Sequence, residues 1–213
     1  MRQLVGVGYR RPLAGWIERR PAEVACLEVT ADHFFDGDLD LLRSLRRDYP
    51  LFVHGLGLSL GTPGPLDRDA LDRFARVVDA ADPEWISEHV AFTRTSDVDL
   101  GHLNPVRPTR ENLRLLADHA REVSDRCGRR IVLENIASHL AFRGGMPEPE
   151  FLNRLCDASG AGLLLDVTNL LVNSRNHGYD PVRWLSEIEP GNVVQLHVVG
   201  YTRRLGALLG RGR

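Results

Sequence analysis

The chain has 213 residues, 43% of them hydrophobic and 26% charged, with a formal net charge of -2, which suits a single domain with one substantial core. No basic run offers a footprint for nucleic acid or an anionic membrane, no apolar stretch approaches the ~20 residues of a bilayer span, and Met1 to Tyr9 lacks a signal-peptide pattern, so the expectation is a cytoplasmic protein with neither kind of partner. Lysine is absent and Cys26, Cys127 and Cys156 are widely spaced, which excludes Schiff-base chemistry, a P-loop, a disulfide framework and a thiolate zinc site.

Seven β-type runs recur along the chain, from Leu4 to Gly8, Ala25 to Thr30, Leu51 to His54, Trp85 to His89, Arg130 to Glu134, Gly162 to Asp166 and Val193 to His197. Ile131-Val132-Leu133 and Leu163-Leu164-Leu165 are continuously apolar, as in strands covered on both faces. Between the runs lie helix signals. Asp67 to Ala80 places Leu71, Phe74 and Val78 on one face, Thr109 caps a helix running to Gly128, and Asp180-Pro181 supplies an N-cap followed by proline at the first helical position. Gly160 and Gly191 are expected as left-handed helix C-caps. Repeated βα units build either an open doubly wound sheet or a closed barrel. Functional residues at the C-terminal ends of many strands favour the barrel.

His54, His89, Glu134-Asn135, Asp166 and His197 end five successive runs. In a barrel these ends face one axis, so three imidazoles and two carboxylates converge. One histidine at a strand end is more often a packing residue, and Asp166 alone would cap the turn after its strand. Taken together, buried ionisable groups at consecutive strand ends call for a cation between them. Mixed imidazole and carboxylate donors suit iron, zinc or manganese, and Glu134 can bridge two ions. The glycine run His54 to Gly61 misplaces the third glycine of a dinucleotide fingerprint and reads as a flexible loop. His33, His102, His119 and His139 read as solvated or packing residues. Arg143-Gly144-Gly145 and Ser174 to Gly178 lie in loops at the same mouth, which makes Arg143 and Arg175 candidate substrate contacts.

At Gly6 to Arg10, Phe52 to Leu56, Ser59 to Gly61, Ser87 to Phe92, Leu133 to Asn135, Leu165 to Asn169, Asn176 to Gly178 and Gln195 to His197, the sequence resembles the multinuclear non-heme iron-dependent oxidative enzymes. The resemblance covers essentially the whole chain. It implies a TIM-type (β/α)8 barrel holding two or three iron ions of mixed Fe(II)/Fe(III) state. The implied activity uses O2 to modify cysteine residues of a ribosomally made precursor peptide, presented by a small partner protein. Carried over, His54, His89, Glu134, Asp166 and His197 are iron ligands, with Glu134 and Asp166 at the catalytic centre. Asn135, Asn169 and His177 are further ligands or polar positioners.

Two departures stand out. No eighth strand follows Tyr201, so residues 1–201 read as an incomplete barrel of about seven βα units and 202–213 as an atypical basic tail, the mark of a truncation or a frameshift. Thr30 to Phe35 stands where the family has a glutamate-asparagine pair near the mouth. Two other readings remain open at this point. One is a sugar isomerase or endonuclease IV-like divalent-metal barrel, and the other is an inactive, truncated family member that only binds.

Overall fold

A computed structural model describes residues 3–95, 97–142 and 145–200. Arg143 and the 202–213 tail lie outside the described residues. Seven parallel strands form one sheet: β1 (Gly6–Gly8), β2 (Cys26–Thr30), β3 (Leu51–His54), β4 (Trp85–His89), β7 (Arg130–Glu134), β8 (Gly162–Asp166) and β9 (Val193–His197). Their order in the sheet is their order in the chain. The sequence-derived strands agree with these to within two residues at the first run and one at the second.

Two further strands, β5 (Ala91–Arg94) and β6 (Asp99–Pro105), form an antiparallel hairpin inserted after β4. Nothing in the sequence reading anticipated it. Its second strand carries Gly101, Asn104 and Pro105 and little apolar patterning, so it lacks the alternation by which a half-buried strand is recognised.

Helices α1 (Ala14–Ile17), α2 (Leu39–Asp48), α3 (Arg68–Ala81), α4 (Arg110–Cys127), α5 (Glu148–Ser159), α6 (Val167–His177) and α7 (Pro181–Ser186) follow the strands. The caps explain where they begin. The side chain of Asp67 accepts from the N–H groups of Asp69 and Ala70, Thr109 from Asn112, and Asp180 from Val182, each satisfying donors that the first turn leaves unpaired. Gly160 ends α5 in the left-handed conformation, as expected. Gly191 does not. It lies within a short 3-10 turn, Pro190–Asn192, because the chain passes directly from that turn into β9 without a helix to terminate.

Side-chain parity sets the two faces of the sheet. Leu27, Val29, Leu51, Val53, Ile86, Ile131, Leu133, Leu163 and Leu165 point outward, and all are buried under the helices. They meet Leu71, Phe74 and Val78 of α3, Leu116 and Val123 of α4, and Phe151 and Leu155 of α5 in one core cluster. The opposite parity holds Glu28, Phe52, His54, Trp85, Ser87, His89, Glu134 and His197. The sheet curls so far that Gln195 of β9 bonds both Glu28 of β2 and Trp85 of β4 across the interior. The result is an open-sided barrel of the TIM type, with β1 and β9 at the two ends of the strand order. Among the described residues no helix is long and apolar enough to cross a membrane.

Candidate metal centre

Strand register places the candidate ligands in one layer. His54 is opposite Ser87, His89 opposite Glu134, and Asp166 opposite His197. The imidazoles of His54 and His89 meet edge to face with centroids 4.7 Å apart, and those of His54 and His197 at 5.7 Å. Two groups result: His54, His89 and Glu134, and then Glu134, Asp166 and His197, each with potential ligand atoms within 4.8 Å of one another. Glu134 belongs to both.

The Glu134 carboxylate faces these groups with different oxygens. Its Oε2 is 3.5 Å from Nε2 of His54 and 3.5 Å from Nε2 of His89, and its Oε1 is 3.2 Å from Nδ1 of His197. Oε2 is buried and has no hydrogen-bond partner. A buried carboxylate oxygen without a donor costs several kcal/mol, on the order of the penalty for any unsatisfied charged group. Two donor atoms 3.5 Å apart are what a tetrahedral ion with ligand bonds of ~2.1 Å would span. The residues present therefore fit a metal ion, and the carboxylate fits a bridge between two.

Each histidine is held at its other nitrogen. His54 Nδ1 is 2.8 Å from Ser87 Oγ, His89 Nδ1 is 3.1 Å from Glu88 Oε1, and His197 Nε2 is 2.9 Å from Glu28 Oε2. Such outer partners fix which nitrogen faces the ion and how the ring is turned. They also influence the charge on the rings. Burial holds His54 below the ordinary histidine value, against the pull of Glu28 and Glu134. Burial also opposes the charge on His89 and His197, but their carboxylate hydrogen bonds win: His89 is raised, and His197 is pushed up to about 10. Asp166 is raised, chiefly by burial.

The remaining expected residues occupy different places. Asn135 spans the backbone of Asp166, its Oδ1 accepting from the Asp166 N–H at 2.8 Å and its Nδ2 donating to the Asp166 carbonyl at 3.1 Å. Asn169 Nδ2 donates to the Asn135 carbonyl at 2.9 Å, while its own N–H is capped by Asp166 Oδ1. Both asparagines thus tie the ends of β7 and β8 together. His177 ends α6 and lines a neighbouring cavity of about 310 Å³ with Asn135, Ile136, Phe142 and Phe151. Arg175 is exposed on α6. His119 is buried and bonded to the Leu60 and Gly64 carbonyls, a packing residue as expected.

The glycine run after β3 is not loose. Leu58, Ser59 and Leu60 are buried, the Leu56 N–H donates to Asp32 Oδ2, and the Leu58 N–H donates to Glu88 Oε2. A side chain at Gly55 would come within 2.8 Å of that same Glu88 oxygen. The glycine therefore serves close approach of backbone to carboxylate.

Glu28 and Glu88 were missed by the sequence reading, which followed strand termini. Each lies one or two residues inside a strand. The available signal was an acidic residue interrupting an otherwise apolar strand, as in Cys26-Leu27-Glu28-Val29.

Comparison with known proteins agrees with this architecture. The curated relatives include an uncharacterised-family protein, UPF0276, of Chromobacterium violaceum, 38% identical over 96% of this chain and 75% of its own length. Another, from Rhizorhabdus wittichii, is 35% identical over 95% of this chain and 74% of its own. Among solved structures, a D-psicose 3-epimerase superposes with a TM-score of 0.61 at 14% identity, covering 98% of this chain and 77% of that one. Endonuclease IV from Thermus thermophilus gives 0.57 at 16%, covering 91% and 76%. These two establish the fold alone. Residues 4–209 match the family described as RiPP precursor modification enzyme MbnB/TglH/ChrH, and with the relatives above this shows that the chain belongs to that family.

Proposed function

We propose that this protein uses a multinuclear iron centre and O2 to modify cysteine residues of a ribosomally made precursor peptide. The observation that carries the proposal is the buried, unpartnered Glu134 Oε2 between two imidazoles, with its other oxygen turned to a third. Membership in a family described as RiPP precursor modification enzymes supports a peptide substrate, and the sequence resemblance to multinuclear iron enzymes supports the oxidative chemistry. The ligand set is compatible with iron because it mixes imidazole and carboxylate and contains no thiolate.

His54, His89 and Glu134 would hold one ion, and Glu134, Asp166 and His197 a second. Bound iron would supply affinity for a cysteine thiolate and a means of using O2 as oxidant. The chain's own residues do the rest. Ser87, Glu88 and Glu28 keep the three rings turned to the centre. Asn135 holds Asp166 in register, and the packed loop from Gly55 to Gly61 holds Glu88 through the Leu58 N–H. The cavity beside Asn135, at the small end of ligand pockets, offers an apolar wall for a peptide side chain. His177 of α6 lines that cavity and Arg175 is exposed on the same helix, positions suited to peptide contact, with a small partner protein presenting the peptide.

The test is anaerobic loading with Fe(II), followed by exposure to O2 with candidate cysteine-containing peptides and mass spectrometry of the products. A mass change confined to cysteine residues and dependent on both iron and O2 is expected. Retention of zinc alone after iron loading, or turnover of ketoses or abasic DNA without O2, would transfer the protein to the divalent-metal chemistry named for its structural neighbours.

A further inference from the structure

We infer that Glu28, held by Gln195 and Trp85, is the positioning residue for one half of the centre, fixing His197 so that Nδ1 rather than Nε2 faces Glu134. The inference rests on the two-ion reading above. His197 is the least enclosed of the three histidines, its side chain 23% exposed against 8% for His54 and for His89. It sits on β9 at the end of the strand order, where its neighbours Leu196 and Val198 are exposed. The other two rings have close burial as well as a hydrogen bond, whereas this one depends more on its hydrogen bond to define its rotation.

That bond comes from the far side of the interior. Glu28 Oε2 lies 2.9 Å from His197 Nε2 and 2.6 Å from Gln195 Nε2. Trp85 Nε1 donates to Gln195 Oε1 at 2.7 Å. An indole N–H is a donor only, so it fixes which end of the Gln195 amide is oxygen. The amide nitrogen is then the end that faces Glu28. Trp85 in turn is stacked on Phe52 with centroids 4.2 Å apart. The chain Phe52, Trp85, Gln195, Glu28, His197 thus runs from the packed floor of the barrel up to the ligand layer.

Of the three imidazoles, only that of His197 is hydrogen-bonded to this support. His54 is oriented by Ser87 and His89 by Glu88, neither of which shares a bond with the Glu28 network. Loss of Glu28 should release His197 and weaken the ion held with Glu134 and Asp166, leaving its partner in place. An outer carboxylate on a ligating imidazole is worth ~10–100-fold in metal affinity.

The experiment is a cobalt(II) titration of the full chain, followed by calorimetry and by the visible absorption of the bound ion. Wild type is expected to bind two ions. Glu28→Gln, similar in size, should weaken the ion held by His197 ~10–100-fold and alter its absorption, with a much smaller change at the ion held by His54 and His89, which feels only the lost charge. Gln195→Leu should give a smaller loss at the same ion. Where Glu28→Gln fails to fold, Trp85→Phe carries the test. It keeps an aromatic ring against Phe52 while removing the indole N–H with part of the ring's bulk, and is expected to weaken the same ion selectively. Unchanged affinity for both ions, or equal loss of both in a folded variant, overturns the role of Glu28. Failure of wild type to bind a second ion overturns the two-ion reading instead.

Discussion

Oε2 of Glu134 lies 3.5 Å from Nε2 of His54 and accepts no hydrogen bond, although both side chains are buried. That separation is too long for a hydrogen bond and suited to two ligands of one ion. Because the same carboxylate turns its other oxygen to His197, it is the one residue common to both groups. Glu134→Gln should therefore weaken both ions by more than the ~10–100-fold of an outer-partner loss. His54→Ala and Asp166→Asn should each remove one. Thermal unfolding reads the same difference: an ion at 100 times its dissociation constant stabilises the fold by ~2.7 kcal/mol. Glu134→Gln should lose most of that gain at the same cobalt concentration.

Asn135 distinguishes a ligand from a positioner. Its amide is committed at both ends to the backbone of Asp166, so Asn135→Leu would leave a buried N–H and a buried carbonyl unpaired. The expected loss is ~1–3 kcal/mol per group in denaturant unfolding. Both ions should still bind to the folded variant, and loss of an ion with stability unchanged would instead make Asn135 a direct ligand.

Most of the fold was legible because its signals are local. Short apolar runs flanked by glycine and turn residues, such as Leu163-Leu164-Leu165, read as buried strands, and Asp67, Thr109 and Asp180 announce their helices through caps that need no tertiary contact. The five candidate ligands were legible because they end their strands. Glu28 and Glu88 were not, since their roles depend on partners supplied by folding: Glu28 meets His197 at 169 residues' remove, and Glu88 turns to a loop on the preceding strand. The hairpin β5–β6 escaped because its pairing involves polar residues and a register shift between Phe92 and Arg94.

Glu148 gives a pH dependence separate from the metal centre. Burial raises its carboxyl above the ordinary range, although the Trp184 Nε1–H, 3.1 Å from Oε2, works the other way. A carboxyl whose folded value exceeds its unfolded value favours the fold when protonated. That contribution is present at low pH and is lost as pH rises from the ordinary carboxylate value through the raised one. Glu148→Gln keeps an acceptor for Trp184 and never ionises. The variant should be more stable than wild type at neutral pH, with the two curves converging below about pH 4. A constant offset across that range would show that packing, not ionisation, separates them.

Gly55 links the loop to the ligand layer. A methyl group there would meet Glu88 Oε2 at 2.8 Å and the Phe74 ring at 3.0 Å. The phenylalanine is locked in the core, so the strain falls on the carboxylate. Glu88 also holds Nδ1 of His89 and the Leu58 N–H, and displacing it disturbs a ligand and the loop together. Gly55→Ala should cost ~1–3 kcal/mol, the usual range for overpacking. It should also weaken selectively the ion that His89 shares with His54. Gly64→Ala is the control. Its position is left-handed, with nothing within 4 Å of an added methyl group, so it should cost stability through backbone strain and leave cobalt affinity at wild-type level. Equal loss of affinity in both variants would mean that the loop as a whole, rather than the contact with Glu88, governs the centre.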